Sequence, residues 1–162
     1  MKSTQQIRDK IYSLQSLIQQ VERWKLLGKK VVFTNGVFDI LHEGHLSSLN
    51  EAASHGDVLI VAVNGDTSVK RLKGDSRPVN NESSRALLLA SLLVTDAIIL
   101  FHEDTPLEII KALLPDVMVK GGDYKIEEIA GAKEVLQNGG QVILANIVEG
   151  VSTTGIINKM KQ

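Results

Sequence analysis

Residues 34–45 read Thr34-Asn35-Gly36-Val37-Phe38-Asp39-Ile40-Leu41-His42-Glu43-Gly44-His45 and come directly after the apolar run Val31-Val32-Phe33. A short β-branched and aromatic run is typical of a buried strand, and we predict a helix over Gly44–His55 after it. Gly36 permits a tight turn, and Gly44 lets the main chain approach a ligand closely. This part of the sequence therefore predicts a strand, a glycine-containing loop and a helix.

Apolar strands and helices continue to alternate beyond this stretch. The further predicted strands are Asp57–Val63, Ala97–Phe101, Val117–Val119 and Gln141–Ala145. The further predicted helices are Ser83–Val94, Pro106–Leu113, Gly131–Gln137 and a closing helix from Ser152. This alternation predicts an α/β fold, a Rossmann-like three-layer sandwich around a parallel sheet. Ligands of such sheets bind beyond the carboxyl ends of the strands, where the strand order reverses.

The first 28 residues carry apolar side chains at spacings of three and four, which predicts one amphipathic helix that ends near Gly28. No linker, repeat or low-complexity tract divides the chain. We therefore expect a single domain over residues 1–162, with the helix of residues 1–28 packed on it.

The composition excludes several classes of protein. The 162 residues include 18 Lys and Arg against 19 Asp and Glu, so the near-neutral chain lacks the basic footprint of a nucleic-acid binder. The absence of cysteine excludes disulfides, cysteine-ligated zinc and a thiol nucleophile. The most apolar run, Ala86–Val94, is shorter than a membrane span, and the amino terminus lacks the apolar core of a secretory signal. We expect a soluble cytoplasmic protein with neither nucleic acid nor membrane as a partner.

His42 and His45 lie three residues apart on the first turn of a predicted helix, so both side chains can face one side. A helix amino terminus has free N–H groups and a positive dipole end, which suit a phosphate. Imidazoles there can donate hydrogen bonds to phosphoryl oxygens and stabilise charge in a transition state. The alternative is a pair of capping or surface histidines. A metal site is less well supported, because no third ligand is evident nearby.

Basic residues follow the second predicted strand. Four positive charges fall within eight positions of a Gly/Pro-punctuated loop: Lys70, Arg71, Lys73 and Arg77. Such a loop suits an anionic substrate, and the alternative is a solvated surface loop. Arg85 lies inside an otherwise apolar helical run, and a surface charge at the helix end is the alternative to a functional role.

Two later segments can also approach a ligand. Gly121 and Gly122 allow close backbone approach and Asp123 can orient a base or ribose, although a tight turn with a capping Asp explains the same residues. Residues 149–154, Glu-Gly-Val-Ser-Thr-Thr, open the last predicted helix. Ser and Thr at a helix start are caps by default, and their hydroxyls can also bind phosphate.

Together these motifs resemble a known family. His42-Glu43-Gly44-His45 resembles the His-x-Gly-His signature of the nucleotidyltransferase superfamily, and residues 34–42 resemble its cytidylyltransferase-like branch. Lys120-Gly121-Gly122-Asp123-Tyr124 and residues 149–154 are similar to the heptose 1-phosphate adenylyltransferases, the nucleotidyltransferase module of ADP-heptose synthases. Bifunctional members carry a sugar-kinase domain ahead of this module. A chain of 162 residues has no room for one, which predicts a stand-alone transferase.

The resemblance implies transfer of AMP from ATP to D-glycero-β-D-manno-heptose 1-phosphate, giving ADP-heptose and pyrophosphate for the lipopolysaccharide core. Mg²⁺ is expected with ATP, without a metal site built by the protein. The implied catalytic residues are His42, His45 and Arg85. The implied nucleotide-binding residues are Asn35, Gly36, Val37, Phe38, Asp39, Gly44, Gly121, Asp123, Glu149, Ser152, Thr153 and Thr154. The implied sugar-phosphate ligands are Lys70, Lys73 and Arg77. We expect a homo-oligomer, such as a dimer.

Two other functions compete with this one. A cytidylyltransferase for glycerol 3-phosphate or a similar small phosphate carries an arginine where this chain has Ile147, and usually Gly-Asp-Asp-Trp where it has residues 121–124. A non-catalytic nucleotide-binding protein would not need a second basic site, so Lys73 and Arg77 count against it. A dinucleotide oxidoreductase is disfavoured, because no Gly-x-Gly-x-x-Gly follows the first strand.

Overall fold

The core of the fold is a parallel sheet. A computed structural model describes residues 4–122, 124–145 and 152–160. Within these residues, six parallel strands pair in the order β1-β4-β3-β2-β5-β6. They are β1 (Ile11–Tyr12), β2 (Val31–Gly36), β3 (Val58–Asn64), β4 (Ala97–Phe101), β5 (Val117–Gly121) and β6 (Gln141–Ala145).

Helices cover both faces of this sheet. They are α1 (Thr4–Arg8), α2 (Leu14–Leu26), α3 (Glu43–Ala53), α4 (Asp66–Lys73), α5 (Glu82–Ala90), α6 (Leu107–Leu113), α7 (Ala132–Gln137), α8 (Thr153–Met160) and a 3-10 turn at Ile126–Glu128. On one face α2, α6 and α7 pack around Phe33 and Met118, and on the other α3 and α5 pack around Val32 and Val61. The Rossmann-like three-layer prediction is confirmed. No helix among the described residues is long and apolar enough to cross a membrane.

The amino-terminal segment differs from the single helix predicted. α1 and α2 are separated by β1, which pairs with β4 through Ile11 and Ile98. Ile7 and Ile11 pack against the core under α3 and α5, whereas Leu17 belongs to the core under α2 and α6. The regular spacing of apolar residues therefore comes from side chains on opposite faces of the sheet, because the chain crosses the sheet edge between them. Ser13 caps α2 by accepting the N–H of Ser16 at 3.2 Å.

Two further differences from the predicted elements place site residues in other secondary structure than expected. β2 extends to Gly36, so Thr34-Asn35-Gly36 is strand rather than loop. The segment predicted as a basic loop contains α4, and the cations at 70, 71 and 73 occupy its last turn. Only Ser68 and Val69 of this helix are buried, so its apolar periodicity is too short to be recognised in the sequence.

The strand order reverses at β2. β2 pairs with β3 on one side and with β5 on the other, whereas the chain reaches β5 only after β3 and β4. The crevice beyond the carboxyl ends of β2 and β5 is therefore the place where a sheet of this kind binds ligands.

Candidate active site

A pocket of about 310 Å³ lies at that crevice. It is formed by the carboxyl ends of β2 and β5 and by the first turns of α3. Its lining includes the sequence-predicted residues Asn35, Gly36, Val37, Phe38, His42, Gly44, His45 and Gly121. It also includes residues for which no role in the site is predicted from the sequence, namely Thr34, Ser48, Leu49, Lys120 and Tyr124.

The two histidines face the pocket as a stacked pair. His42 is the residue that precedes α3, His45 lies in its first turn, and their ring centroids are 3.8 Å apart. Nδ1 of each ring is buried and has no hydrogen-bond partner within the described parts of the chain. Buried polar atoms normally have partners. Two unpartnered imidazole nitrogens beside a helix amino terminus are therefore suited to binding an anionic ligand.

Burial keeps His45 uncharged in the ligand-free protein. Desolvation, reinforced by the neighbouring His42, lowers the pKa of His45 to about 4, and the nearby backbone of Ile40 acts in the opposite direction. A neutral ring costs less to bury than a charged one. An anion bound beside the ring would favour the protonated form, so ligand binding should raise the pKa of His45.

The backbone around Phe38 shapes the wall next to this pair. Phe38 adopts a φ of +50°, which is uncommon for a residue other than glycine. Its ring contacts His45 edge-on, with centroids 5.3 Å apart. A Cβ at Gly36 would come within 3.0 Å of the Phe38 ring. Gly36 is therefore needed for packing under Phe38, which in turn supports His45.

Lys120 is the cation of the pocket. Its Nζ donates to Oδ1 of Asn35 at 3.2 Å and lies 5.6 Å from the centre of the Tyr124 ring. Burial lowers the pKa of Lys120. The sequence offers one signal for it, a lysine at the end of an apolar strand directly before Gly121-Gly122, but the roles predicted for this segment concern Gly121, Gly122 and Asp123.

Asp39 lies behind the pocket. It is 2% exposed and accepts hydrogen bonds from Arg77 Nε at 2.6 Å and from the N–H groups of Val79 and Asn80. Burial acts to raise the pKa of Asp39, but these hydrogen bonds outweigh it and leave the pKa below its ordinary value. The carboxylate fastens residues 77–80 to the loop between β2 and α3. Its expected contact with a nucleotide stays a prediction.

Arg85 fastens the same loop from a second direction. It is fully buried and donates to the Val37 carbonyl at 2.7 Å, to Asp66 Oδ1 at 2.7 Å and to the Asn80 carbonyl at 2.9 Å. The interpretation as a surface charge is wrong. The guanidinium does not line the pocket, because its donors are directed to protein acceptors. The expected phosphate contact of Arg85 stays a prediction.

The remaining basic residues lie apart from the pocket lining. Lys70 and Lys73 are exposed, and neither has a recorded partner among the described residues. Arg71 pairs with Asp104 at 2.8 Å and donates to the His102 carbonyl at 2.6 Å, which holds α4 over the carboxyl ends of the strands. Arg77 is bound to Asp39, as described above. The structure does not bring Lys70, Lys73 and Arg77 together in the pocket.

The start of α8 lies against the same loop. Thr153 Oγ1 donates to the Ile40 carbonyl at 3.4 Å, and Ser152 Oγ accepts the N–H of Gly155 at 3.1 Å. Ser152 therefore caps the helix, as its alternative interpretation held. Asp123, Ile147 and Glu149 lie outside the described residues.

Comparisons with known proteins give a consistent result. The family model described as cytidylyltransferase-like matches residues 33–159. The bifunctional protein HldE of Shigella sonnei (strain Ss046) is 59% identical over 135 residues, which are 83% of this chain and 28% of that protein. The HldE protein of Escherichia coli (strain K12 / DH10B) matches to the same extent. The chain thus spans 28% of the length of these curated relatives.

Solved structures agree on the fold. The lipopolysaccharide core biosynthesis protein from Thermoplasma volcanium GSS1 is 36% identical with a TM-score of 0.61, covering 75% of this chain and 98% of that one. The pantoate-beta-alanine ligase from Francisella tularensis, in complex with beta-gamma ATP and beta-alanine, has a TM-score of 0.59 at 14% identity and covers 93% of this chain and 76% of that one. The second likeness concerns the fold alone.

Proposed function

The chain belongs to the cytidylyltransferase-like family, and on that premise we propose that it transfers AMP from ATP to D-glycero-β-D-manno-heptose 1-phosphate. The products are ADP-heptose, a precursor of the lipopolysaccharide core, and pyrophosphate. The observation that carries this proposal is a pair of buried imidazole nitrogens at the switch point of the sheet, neither of which has a partner in the part of the chain that the structure describes. Its supports are the 59% identity to HldE and the likeness to a lipopolysaccharide core biosynthesis protein.

The transfer needs little acid–base chemistry. A phosphate oxygen of the sugar phosphate attacks the α-phosphorus of ATP, and the bond from that phosphorus to the bridging oxygen of the β-phosphate breaks. Pyrophosphate leaves with the electron pair, and no proton has to be removed because the attacking oxygen is already ionised. The protein contributes positioning and stabilisation of the developing charge.

The pocket residues divide these tasks. His42 and His45 bind the phosphates and stabilise the charge that moves toward the leaving group. Around them, nucleotide contacts come from the pocket-lining residues predicted from the sequence and from Ser152, Thr153 and Thr154 at the start of α8. Arg85 and Asp39 act as positioning residues, because their hydrogen bonds hold the loop that carries His42. Lys70 and Lys73 attract anionic substrates to this end of the sheet.

The donor set fits a metal that arrives with the nucleotide. No carboxylate lines the described pocket, and no group of three or more His, Cys, Asp or Glu among the described residues suits a metal ion. Mg²⁺ binds readily to substrate phosphate oxygens while keeping several waters. A Mg²⁺ ion held by the ATP phosphates would neutralise phosphate charge there.

A substrate screen tests the function. ATP, CTP, GTP and UTP are each incubated with heptose 1-phosphate, glycerol 3-phosphate and other sugar phosphates, and pyrophosphate release is measured. ATP with heptose 1-phosphate should give the highest kcat/KM. A preference for CTP with glycerol 3-phosphate would establish the alternative cytidylyltransferase. Nucleotide binding without pyrophosphate release from any pair would establish a non-catalytic binding protein.

Three wider expectations belong to the same proposal. Residues 1–162 act as one nucleotidyltransferase domain, the protein works in the cytoplasm, and it forms a homo-oligomer such as a dimer. Limited proteolysis tests the first, cell fractionation the second and analytical ultracentrifugation the third.

A further inference from the structure

A second cavity adjoins the pocket and shares a wall with it. This side pocket has a volume of about 180 Å³, and its lining includes Asn35, Lys120 and Tyr124, which also line the main pocket. The remaining polar side chains around it are Asp104, Thr105 and Glu128. The side pocket therefore lies next to the place proposed for the triphosphate, across three side chains.

The shared wall carries a cation without a counter-charge. Lys120 Nζ has a neutral acceptor, Asn35 Oδ1, and no carboxylate within ion-pair distance in the part of the chain that the structure describes. A buried charge is costly unless it is paired. Since Lys120 borders both cavities, an anion bound to its Nζ would be accessible from each of them.

The two cavities differ in chemistry. The main pocket offers imidazoles, a lysine and a helix amino terminus, which suit phosphates. The side pocket offers two carboxylates and a hydroxyl above apolar side chains, among them Met118 and Ile129. Carboxylates repel phosphate but accept hydrogen bonds from hydroxyl groups, and apolar atoms can pack against the carbon face of a sugar ring. A cavity of this size is smaller than the ~300–1,000 Å³ sites of drug-sized ligands.

We infer that the side pocket binds the sugar of the acceptor, and that Lys120 holds the acceptor's phosphate at the junction where it meets the α-phosphate of ATP. Asp104 and Glu128 accept hydrogen bonds from sugar hydroxyls, and Asp104 also pairs with Arg71 at 2.8 Å. This inference rests on the proposed function. It assigns the acceptor phosphate to Lys120 rather than to the basic residues predicted from the sequence.

The test for the sugar compartment is Glu128→Gln, with Glu127→Gln as the matched control, since Glu127 is an exposed neighbour on the same 3-10 turn that does not line the side pocket. A lost charge-assisted hydrogen bond typically weakens binding by roughly ten- to a hundredfold. We expect the KM for heptose 1-phosphate to rise by roughly that factor in Glu128→Gln. The KM for ATP should stay within about twofold of wild type, and the control should match wild type.

The test for the shared wall compares Lys120→Met with Lys120→Arg. Replacing a half-buried cation that has no ion-pair partner among the described residues with an apolar side chain of similar length should not impair folding. We expect Lys120→Met to lower kcat/KM for the acceptor by about a hundredfold and Lys120→Arg to recover part of it, because the ion pair with phosphate depends on charge. A Lys120→Met enzyme with wild-type acceptor kinetics would overturn this assignment.

Calorimetric binding of heptose 1-phosphate separates this inference from the proposed function. If wild type binds it, Glu128→Gln does not, and no pyrophosphate is released, the side pocket is confirmed and the proposed function fails. If wild type releases pyrophosphate but Glu128→Gln has an unchanged acceptor KM, the side pocket is refuted and the function stands. A raised KM for ATP alone would assign the cavity to the nucleotide, which also refutes the inference.

Discussion

Polar side chains at the amino ends of the strands are hydrogen-bonded to the backbone, whereas several at the carboxyl ends have free binding capacity. At the amino ends, Asp57, Asp96 and Asp116 each stand directly before a strand and accept a backbone N–H from a neighbouring strand or its approach, at Lys30, Leu59 and Val31. All three distances are 2.7 Å. At the carboxyl ends, within residues 4–122, 124–145 and 152–160, Nδ1 of His42 and of His45 has no partner and Lys120 has no counter-charge.

This contrast separates groups that stabilise the fold from groups that are free to bind. A carboxylate already hydrogen-bonded to the backbone contributes to strand pairing and has less capacity for a ligand. A buried nitrogen without a partner reduces stability until a ligand arrives. The contrast has exceptions. Asp39, on the loop after β2, accepts the backbone N–H groups of Val79 and Asn80. Nε2 of His55, which follows α3 at the opposite end of the helix from His45, is buried and has no partner among the described residues.

The largest expected effect is on His45, and His55 provides its control. His45→Ala should reduce kcat by about a hundred- to a thousandfold, the loss typical of one preorganised donor in a transition state. The KM for ATP should change far less, since the other pocket contacts remain. His55→Ala should leave kcat unchanged. Steady-state kinetics with circular dichroism as a folding check decides the outcome, and a folded His45→Ala enzyme with near wild-type turnover contradicts the assignment.

The next effect concerns stability at the amino ends. Asp116→Ala leaves the Val31 N–H without its acceptor, which should lower the free energy of unfolding by about 1–3 kcal/mol. The kcat of the folded enzyme should not change. Urea denaturation measures the difference, and Asp75→Ala, at an exposed position, should stay within about 0.5 kcal/mol of wild type. Equal decreases in the free energy of unfolding in Asp116→Ala and Asp75→Ala would show that the hydrogen bond of Asp116 does not stabilise the fold.

The pH dependence of stability tests the role of His45 at the carboxyl ends of the strands. Because the folded pKa of His45 is about 4 and its ordinary value is 6.5, the unfolded chain takes up this proton first as the pH falls. Proton uptake therefore favours the unfolded chain, and stability falls as the pH is lowered from 6.5 to about 4, whereas above pH 6.5 this effect is absent. His45→Gln should flatten the stability curve in that window relative to wild type. Parallel curves would show that His45 is not the group responsible.

The smallest effect is expected at the exposed end of α4. If the acceptor occupies the side pocket, Lys73→Ala removes only a distant attraction, and its KM for the sugar phosphate should rise by about two- to fivefold at low salt. The difference should vanish at high ionic strength. Kinetics at two salt concentrations test this. A salt-independent rise of tenfold or more would restore Lys73 as a direct ligand of the acceptor.

The sequence predicted the parts of this fold that have one long, regular signal. The predicted bounds of Ala97–Phe101 and Gln141–Ala145 match the observed strands, because a short apolar run, which in the second strand follows Gln141, has few other structures available. β1 was missed since two residues of strand between two short helices mimic helical spacing. The polar helix α4 was missed because it buries little.

For the site, the sequence located the histidine pair and the surrounding glycines, because their spacing on one helix turn is local. The roles of Arg77 and Lys120 depend on partners distant in sequence. Arg77 meets Asp39 across 38 positions, and Lys120 meets Asn35 across 85. Neither contact leaves a pattern in neighbouring residues. The side pocket is formed by β2, β5 and the segments around Asp104 and Glu128. No local sequence motif predicts it, because these segments are distant in sequence.

The crossing of the amino-terminal segment has a consequence for self-association. β1 covers β4 only at Ile98 and Ile99, and Lys10 Nζ anchors the crossing through the Thr95 carbonyl at 2.7 Å. Without this cover, the backbone donors and acceptors of β4 would be open to pairing with a strand of another molecule, the usual route to aggregation of β-sheet proteins. β1 thus protects the edge of β4 from pairing with another molecule. Loss of the hydrogen bond from Lys10 to the Thr95 carbonyl should reduce the recovery of monodisperse protein before it affects the chemistry at the pocket.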